Sequence, residues 1–281
     1  MISKHRMLKS SILMSSLSLT LGCSIANAET IVHQNVPSIL DGTYIGIFGG
    51  GGHASNTNAA QNGTAFFPPA AGGPLAVHAT GDIGGNAAIV GAHIGYQWLG
   101  WVLDRDCLWR VAPAAELEGY YLHSIQQGDL INPTTRLPEH SFVDSFPIHA
   151  GVFLANAVFT LKNIQTNDFY PYVGIGIGAA HLSIRDADSS QVAPAEPGIN
   201  HFNSNPSNSD WAFAAQGKAG FSFKIANNWR LFTEYRLLYV ASSSYTFGST
   251  VYPTHVPTTN WNVNLGHSYY NMGDVGIEYS I

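Results

Sequence analysis

Apolar and polar residues alternate along much of this chain with a period of two, which is the period of a β-strand. Eight apolar, glycine-rich segments carry the pattern, most of them over ten or more residues. Each is long enough to cross a bilayer as a tilted strand, whereas no internal apolar run reaches the roughly 20 residues of a membrane-spanning helix. The pattern predicts an all-β fold with eight strands, at 43–52, 86–99, 107–123, 147–161, 170–184, 211–225, 229–240 and 269–281.

The connections between these segments are alternately long and short. Every even-numbered connection is a tight turn, at 100–106, 162–169 and 226–228. Every odd-numbered connection is long, poor in charge and rich in Asn, Ser, Thr, Pro and Gly, at 53–85, 124–146, 185–210 and 241–268. Since alternate connections of an antiparallel sheet lie at the same end, we expect a closed antiparallel barrel with one elaborated rim.

The two faces of the predicted strands differ in charge. Charged residues make up only 11% of the chain, against about 25% in an ordinary soluble domain. Most of them fall on one face, so we expect that face to point into the barrel and the apolar face to meet lipid. Alternation leaves the faces of 43–52 and 147–161 unassigned. The predicted inward charges are Glu116, Glu118, Glu234, Asp274, Glu278, Lys218, Lys224, Arg230 and Arg236.

Aromatic residues gather at both ends of the predicted strands. Two aromatic girdles about one strand apart are typical of outer-membrane barrels. The predicted girdle at the short-turn end is Trp98, Trp101, Trp109, Tyr170 and Trp229, and that at the long-loop end is Tyr121, Trp211 and Tyr239.

The first 28 residues have the pattern of a secretory signal peptide. A basic start with Lys4, Arg6 and Lys9 precedes an apolar stretch that ends at Ala26-Asn27-Ala28. Cleavage after Ala28 would leave a lead-in at 29–41 and a barrel domain at 42–281. It would also leave 12 − 3 = 9 basic residues against 18 acidic ones, a net charge of −9. That balance argues against nucleic acid as a partner, and the single remaining cysteine, Cys107, excludes an intramolecular disulfide.

Several short motifs resemble one known family. They are Gly42–Gly50 (GTYIGIFGG), Ala155–Phe159 (ANAVF), Tyr172–Gly178 (YVGIGIG) and Thr233–Arg236 (TEYR). Together they resemble the eight-stranded outer-membrane barrels of opacity proteins and outer membrane protein A, over nearly the whole mature chain. The resemblance implies a Gram-negative outer membrane reached by Sec-type export, with turns in the periplasm and loops outside. It implies outer-membrane lipid, lipopolysaccharide and the barrel assembly machinery as partners.

The interior of an eight-stranded barrel is just wide enough for side chains to fill. The family resemblance implies a salt-bridge cluster there, carried by Glu116, Glu118, Lys218, Glu234 and Arg236. Such a cluster would plug the lumen. A narrow, charge-lined ion pore is the alternative.

Motifs for catalysis are scarce. Gly174-x-Gly176-x-Gly178 has no following helix to bind phosphate, so we interpret it as strand glycines of a crowded barrel wall. No nucleophile elbow, zinc helix or Walker lysine occurs, and we expect no cofactor, no metal and no enzymatic activity. The remaining enzymatic alternative is a lipid A hydrolase built from His181, Ser183 and Glu196.

Six histidines fall in or beside the four long loops with no close pair in sequence. We interpret them as polar loop residues, since dispersed histidines are a weak indication of zinc binding or pH sensing. They are His53, His78, His140, His201, His255 and His267.

Two long loops carry aromatic residues among Ser, Gly and Asn, a composition typical of binding surfaces. These contact candidates are Phe66 and Phe67 in the first loop and Tyr245, Phe247, Tyr252 and Trp261 in the fourth. The leading hypothesis is a non-enzymatic, adhesin-like surface antigen whose loops meet a host or environmental ligand. Packing of the loops on one another over the barrel mouth is the alternative role for these aromatics.

Overall fold

The computed structural model describes residues 41–104, 109–133, 140–163 and 168–281. The predicted signal peptide at 1–28, Cys107 and all of the lead-in except Asp41 lie outside the described residues. The described chain is an antiparallel all-β structure, which confirms the all-β, antiparallel part of the predicted fold class. Its one helical element is a short 3-10 turn at Pro69–Ala71, and the described residues include no helix long and apolar enough to cross a membrane.

Twelve strands are described. In chain order they are β1 (Gly42–Ala65), β2 (Leu75–Gln97), β3 (Trp101–Asp104), β4 (Trp109–Asn132), β5 (His140–Asn163), β6 (Phe169–Ile184), β7 (Asp188–Ala193), β8 (Asn208–Lys224), β9 (Trp229–Val240), β10 (Ser243–Phe247), β11 (Trp261–Leu265) and β12 (Ser268–Ser280).

Eight of these strands pair in a ring. The order is β1–β2–β4–β5–β6–β8–β9–β12, and each neighbouring pair is antiparallel. The last strand returns to the first, from Tyr44 opposite Ser280 to Ala54 opposite Tyr270. Within the described residues, each of these eight strands overlaps one of the eight apolar segments that alternation identified.

The strands extend well beyond the ring at one end. β1, β2, β4 and β5 have 23–24 residues, whereas the other four strands of the ring have 12–17. β7 pairs with β5, and β11 pairs with β1 and β10, so the short strands continue the wall above the ring. We call residues 42–53, 90–104, 109–121, 151–163, 168–181, 211–239 and 269–281 the ring section, and residues 54–89, 122–133, 140–150, 182–210 and 240–268 the upper section.

The upper section corrects the prediction of four long loops. In the predicted loops at 53–85 and 124–146, residues 53–65, 75–85, 124–132 and 140–146 belong to strands. The predicted loops at 185–210 and 241–268 contain β7, β10 and β11. Asn, Ser and Thr are frequent in these segments because such residues face outward from a wall whose inner face is apolar. The segments therefore have a composition similar to that of loops.

The outer surface of the ring section is apolar, as the alternation predicted. Ile47, Leu117 and Ile175 are 63–69% exposed, although they lie in the middle of paired strands. Charged side chains such as Glu116 and Arg236 are buried in the interior. The ring section is therefore apolar outside and charged inside.

The upper section has the opposite polarity. In β10 and β11, Phe247 and Trp261 are buried, whereas Ser244 and Asn264 are exposed and hydrogen-bonded to each other across the strands at 2.6 Å. An apolar inner face and a polar outer face are typical of an antiparallel sheet with one side in water. The apolar core of this section includes Ile83, Leu130, Phe142, Phe146, Phe202, Phe247 and Val263, each at most 2% exposed.

Most of the predicted girdle residues lie on the outer surface. Trp98, Trp101 and Trp229 are exposed and Trp109 is half-buried at the short-turn end; Tyr121 and Trp211 are exposed and Tyr239 is half-buried at the other end. Tyr170 is a correction, because its side chain is only 4% exposed and points inward. It neighbours the exposed Phe169 in β6, so the alternation places the two rings on opposite faces.

Candidate functional site

The interior of the ring section holds one connected network of charges. Nζ of Lys218 lies 2.5 Å from Oε1 of Glu116 and 3.0 Å from Oε2 of Glu118. Arg236 pairs with Glu118 and, at 2.5 Å, with Glu234. The structure thus brings together all five residues that the family resemblance implied, from strands β4, β8 and β9.

Further partners complete this network. Asp274 on β12 is 3.2 Å from Nε of Arg236, and Arg236 also lies over the rings of Phe48 and Tyr120 at 4.6 and 4.9 Å. At the short-turn side, the carboxylate of Glu278 forms an ion pair with Arg230 at 3.4 Å and contacts Nε2 of His93 at 3.1 Å. Lys224, predicted to point inward, is half-buried near the turn.

Neutral side chains join the charged ones, and the sequence analysis did not find them. Asn156 donates to Glu116 and Glu118 at 2.8 and 3.1 Å, and Gln216 donates to Asn156 at 2.8 Å. Asn156 was missed because both faces of 147–161 are largely apolar, so alternation could not tell which face is inside. Buried charges require such hydrogen bonds to offset the loss of solvation.

Glycines on the inner face leave room for the network. A Cβ at Gly176 would collide with Oδ1 of Asn156, and one at Gly46 with the ring of His93. Gly174-x-Gly176-x-Gly178 is therefore part of a crowded wall, as the sequence indicated. The remaining cavity beside Lys218 and Glu234 has a volume of about 30 Å³, enough for about one water molecule.

The aromatic contact candidates divide into two groups. Tyr245, Phe247 and Trp261 are at most 2% exposed, so the prediction that they form an exposed contact surface is wrong. They fold inward because β10 and β11 continue the wall, and Phe247 stacks on Phe202 at 4.7 Å. Packing within the upper section, the alternative considered for these residues, is what the structure has.

The other three candidates lie at the far end of the upper section. Phe66 is 46% exposed, Phe67 is half-buried, and Tyr252 is half-buried with its hydroxyl accepting a hydrogen bond from the backbone of Asn200 at 3.2 Å. The N–H of Phe66 donates to the carbonyl of Pro257 at 2.8 Å. The first and fourth connections therefore meet at this end.

A cluster of two histidines and a glutamate lies in the upper section. Nε2 of His201 and Nε2 of His255 are 3.5 and 3.3 Å from Oε2 of Glu196, and the two imidazole rings are 5.3 Å apart. The adjacent imidazoles of His201 and His255 lower the pKa of Glu196 to about 2, and Glu196 raises the pKa of His255. The loop histidines have no close pair in the sequence, but His201 and His255 come together because the third and fourth connections fold against each other.

This cluster also removes Glu196 from the predicted hydrolase trio. The ring of His181 packs against that of Trp211 with the centroids 4.8 Å apart and the planes tilted by 51°, and Ser183 lies two residues further along β6. Glu196, the acid that would orient His181, has His201 and His255 as its partners instead. The described geometry contains no Ser-His-Glu arrangement at these three residues.

Comparison with known proteins finds similar solved structures but no sequence relative. No protein-family model matches the chain, and the search of the curated proteins found no match. Neisserial surface protein A is similar at 12% identity over 86% of this chain and 98% of its own, with a TM-score of 0.31. The outer membrane protease OmpT from Escherichia coli is similar at 9% identity over 84% and 97%, with a TM-score of 0.37.

The outer membrane protein OprG from Pseudomonas aeruginosa is similar at 14% identity over 86% of this chain and 97% of its own, with a TM-score of 0.39. Two of these neighbours, OmpT and OprG, are outer membrane proteins. At such low TM-scores they do not determine what the chain does, and the fold follows from its own strand pairing.

Proposed function

We propose that the chain is a closed, eight-stranded transmembrane barrel of a Gram-negative outer membrane and acts at the cell surface as an adhesin-like antigen. The ring section would span the membrane, with its short turns in the periplasm and the upper section outside. The observation that carries this proposal is the reversal of polarity along the strands, from apolar outside in the ring section to polar outside in the upper section.

The dimensions of the ring section support a membrane position. From Trp109 to Tyr121, β4 advances twelve residues, or about 40 Å of strand. At a tilt of about 40° this covers about 30 Å, close to the roughly 25 Å apolar band of outer-membrane barrels. A shallow apolar groove on the outer face, lined in part by Ile47, Leu117 and Ile177, adds lipid-facing surface.

The filled interior supports a role other than transport. The charged network occupies the ring section, and the aromatic core of Phe142, Phe146 and Phe247 occupies the section above it. A chain whose interior is filled in two successive layers acts through its outer surface. The far end of the upper section is the part that reaches furthest from the membrane.

Exposed apolar side chains at that end are the proposed contact surface. Phe66 is 46% exposed and Val251 is 62% exposed. They are held near each other, because Ala65 pairs with Thr258 and the hydroxyl of Thr258 accepts a hydrogen bond from the backbone of Thr250 at 2.8 Å. We call Phe66, Phe67 and Val251 the tip surface.

Adhesion to cultured epithelial cells tests the proposal. Bacteria displaying the wild-type chain should adhere more than cells with an empty vector, and the Phe66→Ser/Val251→Ser variant should lose most of that adhesion. Removing two contacts of more than 1 kcal/mol each would weaken binding about tenfold or more. Ile125→Ser is the matched control, since Ile125 is a 44% exposed side chain of β4 near the ring section.

Surface display of each variant is measured in parallel by protease accessibility of intact cells. Equal adhesion by the wild type and the double variant, or no adhesion by the wild type, would rule out the tip surface as an adhesive site. Loss of adhesion in Ile125→Ser as well would point to a general surface effect and would count against it too.

A further inference from the structure

The cluster of Glu196, His201 and His255 has the donor set of a transition-metal site. Two neutral imidazole nitrogens and one carboxylate oxygen suit Zn²⁺, which in open sites has three protein ligands and a water molecule. One ligand atom from each residue lies within 4.8 Å of the other two. We propose that these residues form a Zn²⁺-binding site at the cell-surface end of the molecule; this inference is independent of the adhesin role.

Both imidazoles direct Nε2, the nitrogen available to bind a metal ion, toward the carboxylate of Glu196. Nδ1 of His201 is 2.8 Å from the carbonyl oxygen of Ser189, and Nδ1 of His255 is 2.6 Å from that of Val256. A carbonyl only accepts hydrogen bonds, so each Nδ1 carries the proton and donates it. In the neutral ring, Nε2 then has a free lone pair, and a backbone carbonyl on the other nitrogen is the usual outer partner of a metal-binding histidine.

The distances match coordination better than hydrogen bonding. An N–H···O bond has its heavy atoms about 2.9 Å apart, whereas two neighbouring ligands of a tetrahedral Zn²⁺ at about 2.0–2.1 Å are about 3.3–3.4 Å apart. Nε2 of His255 and Nε2 of His201 are 3.3 and 3.5 Å from Oε2 of Glu196. That oxygen is fully buried and accepts no hydrogen bond from the described residues.

Burial and access are both suited to a bound ion. The side chain of His201 is 3% exposed and that of His255 11%, which excludes most competing water. The side chain of Glu196 is 34% exposed and provides an entry path. Since Glu196 and His201 lie in the third connection and His255 in the fourth, a bound ion would join two segments of the upper section.

Metal titration of the full-length, untagged chain tests the site. The protein is refolded in detergent, treated with a chelator and dialysed, and then titrated with Co²⁺, whose visible d–d bands report tetrahedral coordination, followed by Zn²⁺ in competition. We expect one Co²⁺ per chain, displaced by one Zn²⁺. His255→Gln and Glu196→Gln should each weaken Zn²⁺ binding by more than the roughly 100-fold that outer-shell changes reach.

A second histidine pair provides the matched control. His123 and His149 face each other on neighbouring strands, with ring centroids 4.8 Å apart, so His149→Gln removes one imidazole from a histidine pair outside the proposed site. Binding should be unchanged in this variant. Heat-modified mobility on a gel reports that each variant is folded.

Three results would overturn the proposal. The first is that the wild-type chain binds neither Co²⁺ nor Zn²⁺. The cluster would then be an imidazolium–carboxylate ion pair without a metal ion. The others are binding that survives in folded His255→Gln and Glu196→Gln, and binding that is lost in His149→Gln.

Discussion

Single residues decide how tightly the interior of the ring section is filled. The network of Lys218 and Arg236 leaves a cavity of only about 30 Å³, and it has room because the facing positions on neighbouring strands are glycines. The conformational freedom of these glycines is not needed, since they lie in regular strands. Their missing side chain is what the site requires.

Gly176→Ala should therefore destabilise the folded chain. The Cβ of the new alanine would collide with the side-chain amide of Asn156, which donates hydrogen bonds to Glu116 and Glu118. Overpacking of this kind lowers the free energy of unfolding by about 1–3 kcal/mol. Urea unfolding of the protein in lipid vesicles measures the change.

Gly217→Ala is the control for this substitution. Gly217 lies on β8 facing outward, and a Cβ there has no atom within 4 Å. Alanine should be neutral or stabilise by up to about 1 kcal/mol, since it restricts the unfolded chain. Equal effects of the two substitutions would show that the inner wall is not crowded.

At the scale of the element, the long strands pass through two environments. In β5, Asp144 in the upper section is completely buried, whereas Phe153 in the ring section is 58% exposed on the apolar outer surface. With its side-chain amide turned so that both groups have partners, Gln61 on β1 would donate to both carboxylate oxygens of Asp144 at 2.8 and 3.2 Å. Burial raises the pKa of Asp144 from 3.8 to about 7.

This raised pKa predicts that stability falls with rising pH. The protonated carboxyl is favoured in the folded chain, so its contribution is complete below about pH 4 and is lost as the pH rises through about 7. A difference of about three pKa units corresponds to at most about 4 kcal/mol. The wild type should unfold at lower urea concentration at about pH 8 than at about pH 5.

Asp144→Asn should remove most of this pH dependence and stabilise the chain at the higher pH. Asp129→Asn is the control, because Asp129 is an exposed carboxylate on the adjacent β4. A pH profile that is the same in wild type and Asp144→Asn would mean that Asp144 is ionised in the folded chain.

The whole molecule has an interior filled in two layers of different chemistry. Charged pairs fill the ring section and aromatic rings fill the upper section, and the rings of Phe146 and Phe247 are stacked 6.1 Å apart. We therefore expect no steady single-channel conductance from the refolded wild type in planar bilayers. Arg236→Ala should also be silent, because the aromatic layer still closes the path above it.

Arg185→Ala, at an exposed position of the upper section, is the control for loss of a positive charge. Removing one member of a buried ion pair costs about 3–5 kcal/mol, so the folded fraction of Arg236→Ala is measured before recording. Ion-selective conductance of the wild type that changes in Arg236→Ala but not in Arg185→Ala would identify a narrow pore and displace the adhesin hypothesis.

Features that depend on neighbouring residues were predictable from the sequence. Alternation with a period of two is a local property, so it identified the eight strands of the ring and the inward direction of Glu116, Lys218 and Arg236. It failed where both faces are similar, which is why Asn156 was missed, and where a girdle residue was chosen by position alone, as with Tyr170.

Features that depend on distant segments were decided by the tertiary structure. Tyr245, Phe247 and Trp261 lie in a segment with the composition of a loop. Only the pairing of β11 with β1 places their side chains in the core. His201 and His255 are 54 residues apart in the chain, and only the folding of one connection against another brings them to the same carboxylate. The alternation of side-chain direction along a strand is set by the geometry of adjacent residues. Burial, and the meeting of distant side chains, depend instead on which remote segments pack together and exclude water.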